Sequence, residues 1–336
     1  MTESGHRTRT AVRAAALAAA AALLACSPEG AAPAPGRPPG ARYVIGVSYQ
    51  ALRFPFVAAL QRAAQGRAEE LSVRLVEADA GNDASTELAN VESLLGQGID
   101  CLAFEATSLD ASSASIEAAN AKGVPVVQFN GKANGGRWVT FVGSEQSESG
   151  DLLGRWLADF LRASGRESAR GIYLRGVSGQ VTDTARNDAL KARLAREGVQ
   201  GRIELLEQFA DYDRGRGQAV TESLLASHPD VDFILANNDD MILGALEAVE
   251  VRGLGGRIAL VGVDGLPEAL VRIAEGRIAA SVFQNPEGQG AGAVQACVDH
   301  LQGQALPAEI LIPFELVTRE NVERISAIAE RVYGKS

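Results

Sequence analysis

Apolar runs in this chain end repeatedly in a side chain that can hydrogen-bond. Residues 99–104 run into Glu105, 124–129 into Asn130, 233–236 into Asn237-Asn238-Asp239, 258–263 into Asp264, and 278–283 into Gln284. Planar amides and carboxylates grouped in this way suit vicinal hydroxyls, because each offers paired donors or acceptors. In a parallel α/β sheet they would also meet, since ligands sit in the crevice beyond the carboxyl ends of the strands. Beside them stand no obvious nucleophile and no metal cage: His6, His228 and His300 are scattered, and no Cys/His spacing fits a zinc site. The expected chemistry is the binding of one small, hydroxyl-rich guest, with no catalytic residue, no metal and no cofactor.

The elements that must hold these groups are legible as an alternation. From Tyr43 onward, β-rich runs at residues 43–48, 73–77, 99–104, 124–129 and 138–142 are followed by others at 171–174, 203–207, 232–236, 258–263 and 278–283. Helical patterns fall between them at 56–70, 86–95, 111–121, 152–163, 188–196, 217–226 and 243–251. Such alternation predicts parallel sheets covered on both faces. A break at Gly143-Ser144-Glu145 predicts two sheets, and proline marks two further crossings at Gln284-Asn285-Pro286 and Pro313-Phe314. The expected fold is α/β, with two Rossmann-like parallel-sheet lobes joined by a three-strand hinge. Lobe 1 takes residues 41–143 plus 285–313, and lobe 2 takes 144–284 plus 314–332. Ordinary surface loops are the competing reading of the crossings. Asn82-Asp83, Ser108-Leu109-Asp110 and Asn238-Asp239 offer helix-capping oxygens, while Lys122-Gly123, Glu197-Gly198 and Arg252-Gly253 offer stops.

The first forty residues belong to neither lobe. Arg7, Arg9 and Arg13 precede an apolar stretch at residues 14–24 that is too short to span a bilayer, the pattern of an export signal over residues 1–25. It ends in Leu23-Leu24-Ala25-Cys26, which is similar to the lipobox of bacterial lipoproteins, although Leu24 stands where a small residue is usual. Cys26 is therefore the expected lipid attachment site, and an ordinary signal peptide that contains a cysteine is the alternative. Residues 26–40 read as a tether, since Pro28, Pro33, Pro35, Pro38 and Pro39 lie among Ala and Gly and cannot pack. Loss of the three arginines and Glu3 with the signal takes the formal charge from −10 to −12. A surface so acidic repels phosphate backbones, which argues against nucleic acid. Cys101 and Cys297 read as two buried free thiols; a bridge would need them to be neighbours.

Three stretches carry a family resemblance: Phe209-Ala210-Asp211-Tyr212-Asp213-Arg214 with His228-Pro229-Asp230-Val231, then Ala236-Asn237-Asn238-Asp239-Asp240-Met241, then Val261-Gly262-Val263-Asp264-Gly265 with Ala279-Ala280-Ser281-Val282-Phe283-Gln284. In this order the chain resembles the periplasmic sugar-binding proteins of ABC transporters, type I fold, among ribose, inositol and pentose binders, over residues 43–318. The resemblance implies that Arg186 reaches sugar hydroxyls from lobe 2 and that Asn238 and Asp264 bind them at two strand ends. It further implies that Gln284 is the hinge glutamine and that Tyr212 covers the sugar's face. From lobe 1, Phe56, Glu105 and Asn130 are expected to complete the site. That lobe departs from the ribose-binder pattern: Phe54 replaces an asparagine, Val57 the second of paired phenylalanines, Glu105 an asparagine, and Asn130-Gly131 an aspartate-arginine pair. A cation is lost and an acid gained, so the guest is expected to be another sugar, a polyol such as inositol, or an amine-bearing ligand.

The implied partners are a small-molecule sugar or polyol, an ABC transporter permease with its ATPase, and a membrane reached through the N-terminal lipid. A monomer in the periplasm or cell envelope is expected. A sensory input protein for a chemoreceptor or sensor kinase stays open. An exported glycosidase would use Glu105 and Asp264 as paired carboxylates, but two Trp are few for sugar subsites. Dinucleotide binding is excluded because Ile45-Gly46-Val47-Ser48-Tyr49-Gln50 lacks repeated glycines. Individually the site residues have plainer readings: Asp264-Gly265 a βα turn, Asn238 an N-cap, Tyr212 core, Glu105 a solvated loop acid and Arg186 a helix-surface arginine.

Overall fold

The computed structural model describes residues 42–334. The export signal, Cys26 and the tether lie outside the described residues. The chain first passes through β1 (Val44–Tyr49), α1 (Pro55–Leu71), β2 (Arg74–Asp79), α2 (Ala84–Gly96), β3 (Cys101–Phe104), α3 (Ser113–Ala121), β4 (Val126–Phe129) and β5 (Thr140–Gly143). A second series follows: α4 (Gln146–Ala163), β6 (Ala169–Arg175), α5 (Val181–Arg196), β7 (Ile203–Phe209), α6 (Arg214–Ser227), β8 (Phe233–Ala236), α7 (Asp239–Val251), β9 (Ala259–Asp264), α8 (Pro267–Glu275) and β10 (Ala280–Phe283). Then α9 (Pro286–Leu301) and β11 (Glu309–Leu311) return to the first lobe, and β12 (Glu315–Val317) and α10 (Val322–Tyr333) to the second.

Two sheets result, ordered β2-β1-β3-β4-β5-β11 and β7-β6-β8-β9-β10-β12. Every pairing is parallel except β10 with β12. Central strands such as β3 (CLAF) and β8 (FILA) are buried throughout, because helices cover both faces. The edges β2 (RLVEAD) and β7 (IELLEQF) carry charges that blunt further pairing. Each sheet is sandwiched by two apolar clusters. Ile45, Leu60 and Val294 pack on one face of the first sheet, and Leu102, Ile116 and Leu94 on the other. In the second, Ile234, Met241 and Ile325 lie opposite Leu157, Tyr173 and Phe233.

All ten predicted strands are present, and the polypeptide crosses between lobes at Ser144-Glu145, Gln284-Asn285 and residues 312–314. The elements without a prediction are α8, α9, α10 and the short β11 and β12. The two strands are three residues each around Pro313, too brief for an alternating pattern. Helices α4 and α5 start at Gln146 and Val181, ahead of the apolar patterns at 152 and 188, because their first turns are polar.

The reading of Cys101 and Cys297 as free thiols is corrected: the two form a disulfide across Cα atoms 5.9 Å apart. Sequence separates them by 196 positions, but α9 returns after the second lobe to cover the face of the first sheet on which Cys101 lies.

Candidate ligand-binding site

Strand ends and helix starts of the second lobe build one wall of a cleft. Arg186, on α5, is only 3% exposed. Its Nε and Nη2 donate to Gln146 Oε1 at 3.2 and 3.0 Å, Nη2 also donates to Gln284 Oε1 at 3.1 Å, and Nη1 donates to the Asn237 carbonyl. The guanidinium thereby ties the start of α4, the end of β8 and a hinge strand together. It can sit there because Gly150 lets α4 approach α5: a Cβ on Gly150 would overlap the Arg186 carbonyl. Asn237 is pinned in turn, accepting from Tyr173 Oη at 2.6 Å and donating to Asp183 Oδ1 at 2.7 Å. Asp183 also accepts from Arg175 and, at 2.8 Å, from the Gly176 amide.

In front of this network stand the groups left free for a guest. Asp264 closes β9 with φ 122°, a backbone region costly for any side chain. It is 6% exposed, and its carboxylate accepts no hydrogen bond among the described residues. Burial raises its pKa well above the carboxylate range; Arg186 opposes the shift, and Asp239 and Asp240 add to it. Tyr212, in the β7–α6 turn, has φ 57°, and its ring lies against Gly176, where a Cβ would overlap it. The Tyr212 hydroxyl is buried without a hydrogen-bond partner among the described residues. Asn238 does two things at once: its Oδ1 caps α7 through the Met241 amide at 3.0 Å, and the side chain lines the cleft.

The first lobe supplies the facing wall. Gln50 follows β1, Phe54 is the N-cap residue of α1 with Phe56 and Val57 in its first turn, and Asn130 follows β4 with φ 52°. Phe54 meets Tyr212 edge-on, ring centroids 6.1 Å apart. Gln284 Nε2 donates to Asn130 Oδ1 at 2.9 Å, so a chain of hydrogen bonds runs from Arg186 through Gln284 to the first lobe. Gln50 and Gln180 both donate to Asn82 Oδ1, at 2.9 and 3.1 Å, and form another tie between the lobes.

Between the walls lies a cavity of about 70 Å3 lined by Gln50, Phe54, Phe56, Val57 and Asn130 from one lobe and Gln146, Gln180, Thr182, Arg186, Tyr212, Asn238, Asp264 and Gln284 from the other. A single water needs roughly 10–15 Å3, so this space admits several hydroxyl-sized groups. Every expected site residue lines it except Glu105. That residue is fully buried behind the wall, where its carboxylate accepts from the Gln50 amide at 3.0 Å and from Asn130 Nδ2 at 2.6 Å. Burial pushes its pKa up to about 7 against the pull of those two bonds. The expectation that Glu105 faces the guest is corrected: these donors hold it behind Asn130, which it positions. Gln146, Gln180 and Thr182 are not among the expected site residues, since the helical patterns begin only at 152 and 188. Gln50 ends β1 as the other site residues end theirs, a signal that was available.

Residues 45–305 match the family described as periplasmic binding protein domain. The chain is 34% identical over 278 residues to the ribose import binding protein RbsB of Bacillus subtilis (strain 168), covering 83% of this chain and 88% of that one. The RbsB of Escherichia coli (strain K12) is 31% identical over 280 residues, covering 83% and 92%. Among solved structures, the Caulobacter myo-inositol binding protein bound to myo-inositol superposes with a TM-score of 0.79 at 29% identity, covering 88% of this chain and 99% of that one. An ABC transporter solute binding protein from Bacillus halodurans C-125 with bound myo-inositol gives 0.78 at 28% identity, covering 86% and 98%.

Proposed function

Because the chain belongs to the periplasmic binding protein family, we propose that it captures a sugar or polyol between its lobes and delivers it to an ABC-type importer. The observation that carries this reading is the cavity itself. Its walls offer neutral amides, aromatic rings, one guanidinium and one carboxylate, while among the described residues neither the Asp264 carboxylate nor the Tyr212 hydroxyl has a hydrogen-bond partner. Buried polar groups left unpaired are costly, and a polyhydroxy guest removes that cost by donating to Asp264 and bonding Tyr212. The Phe54, Phe56 and Tyr212 rings suit the C–H faces of such a guest. Relatives named for ribose and structures holding myo-inositol point to the same ligand class.

Arg186, Tyr212, Asn238, Asp264 and Gln284 bind the guest from lobe 2 and the hinge, and Phe56 and Asn130 from lobe 1. Lobe 1 comprises residues 41–143 plus 285–313, and lobe 2 comprises 144–284 plus 314–332. The protein acts as a monomer, binds without transforming, and hands the closed form to a permease coupled to its ATPase. Glu105 and Asp264 do not share the cavity, which removes the carboxylate pair a glycosidase would need. Export, with a lipid on Cys26 holding the protein at the cell envelope, accords with the Cys101–Cys297 disulfide, since such bonds persist in oxidising compartments.

A thermal-shift screen of sugars, polyols, amino sugars and nucleosides, followed by calorimetry, tests the reading, because ligand binding to the folded state raises Tm by mass action. A sugar or polyol is expected to raise Tm. A response confined to nucleosides or amines would overturn the ligand class.

A further inference from the structure

The cavity beside Asp264 is not the end of the cleft. A second one of about 120 Å3 adjoins it, and both share Gln50, Asn130, Gln146, Gln180 and Thr182 as lining. These shared residues form a partition without a formal charge. Beyond it the walls again come from both lobes: Thr107, Ser108 and Phe141 from the first, Ser144 at the crossing, Val181 and Ala185 from α5 of the second. Like the first cavity, this one takes its shape only when the lobes face each other.

Its lining favours a neutral guest. Lys132 is already paired with Glu309, with its ammonium 4.5 Å from the centroid of the Phe141 ring, and Glu145 accepts from Ser147 at the start of α4. Apart from the exposed Glu145 carboxylate, what remains for a ligand is hydroxyls, amides and apolar surface. That mix repeats the chemistry of the first cavity without its guanidinium and carboxylate.

We propose that the ligand is a glycosidically extended sugar, one ring against Asp264 and Tyr212 and a second sugar ring in the cavity lined by Ser108, Phe141 and Ala185. The proposal rests on the sugar-binding reading above and narrows it. The partition amides of Gln50 and Gln180 lie at the junction, placed to bond the linking oxygen and the hydroxyls beside it. Both hang from flexible side chains joined through Asn82, so a bridging guest displaces ends of side chains and no backbone.

Calorimetry on the full-length protein, with monosaccharides set beside disaccharides that contain them, tests this. At least one disaccharide is expected to bind about tenfold tighter than its parent ring, a difference of about 1.4 kcal/mol. Ser108→Phe, from one wall, and Ala185→Leu, from the other, fill the second cavity; each should abolish the gain while leaving the parent's affinity within about threefold, a change under about 1 kcal/mol. Two variants guard against one misfolding, and Tm reports the fold of each. Parent rings that bind as tightly as every disaccharide, or variants that weaken both alike, overturn the extension and leave the sugar-binding reading intact. Failure of all sugars to bind overturns both.

Discussion

The two walls of the cleft are built on different principles. The second-lobe wall is a network: Arg186, Asn237, Asp183, Arg175 and Tyr173 fix one another through buried hydrogen bonds, and Asp264 is held in a costly backbone conformation before them. The first-lobe wall is a surface of rings and amides, with one buried acid, Glu105, steadying Asn130 from behind. Fully satisfied polar networks are rigid, whereas rings and neutral amides can be exchanged without leaving a charge unpaired. The second lobe therefore sets where hydroxyls must go, and the first sets the size and outline of what fits.

Breaking the network at its centre should have the largest effect. Arg186→Ala removes the bonds to Gln146, Gln284 and Asn237 together and leaves Asp264 with the two acids that raise its pKa and without the guanidinium that opposes them. Hydrogen bonds made by a charged group contribute about 1.5–3 kcal/mol each, so chemical denaturation should show a loss of about 3 kcal/mol or more, and ligand affinity should fall about tenfold or more. Wild-type stability in this variant would mean that the guanidinium is not the tie the hydrogen bonds suggest.

Asp264→Asn separates binding from folding. The amide keeps the shape and, as asparagine, tolerates positive φ better than most residues, but it loses the charge and turns one accepting oxygen into an NH2 donor. A charged hydrogen bond contributes about 1.5–3 kcal/mol, so affinity should drop about tenfold or more by calorimetry. The Tm of the empty protein should hold or rise, because the buried carboxylate receives no hydrogen bond among the described residues. A fall in both would place Asp264 among the supports of the fold.

This division also explains what the sequence made legible. Asn130, Asn238, Asp264 and Gln284, which line the cavity, are legible because a strand end is marked by the abrupt switch from an apolar run to one polar residue. Gln146, Gln180 and Thr182 were missed because a helix start devoted to a cavity loses the apolar period that announces a helix. Glu105 was found and misassigned: a strand-end acid looks the same in sequence whether its carboxylate points at a guest or back toward Gln50 and Asn130. Cys101 and Cys297 escaped pairing because only the return of the chain through α9 brings them together.

The acid behind the first wall gives a pH signature. Glu105 titrates near pH 7 in the fold against an ordinary value of 4.5, so between these values the folded state holds a proton that the unfolded chain releases. Its contribution is present below the ordinary value and is lost as pH rises through about 7. Glu105→Gln carries no such proton. Relative to wild type, the variant's unfolding free energy should rise by about 2–3 kcal/mol from about pH 5 to pH 8. Equal pH profiles would show that Glu105 is ionised in the fold throughout.

The smallest expected effect sharpens the contrast most. Phe54 touches Tyr212 edge-on across the cleft, a contact that exists only while the walls face each other. Aromatic pairs of this kind contribute about 0.5–1.5 kcal/mol beyond the area they bury. Phe54→Leu keeps apolar bulk and loses the ring pair, so affinity should weaken by about twofold to tenfold, the fold-change of that energy. Stability should be nearly unchanged, since Phe54 is only partly buried and sits at the edge of the first-lobe core. The loss should appear mainly in the ligand's off-rate, because a looser closed state opens sooner. If Phe54→Leu instead destabilised the empty protein as much as Arg186→Ala, the first wall would be as much a scaffold as the second.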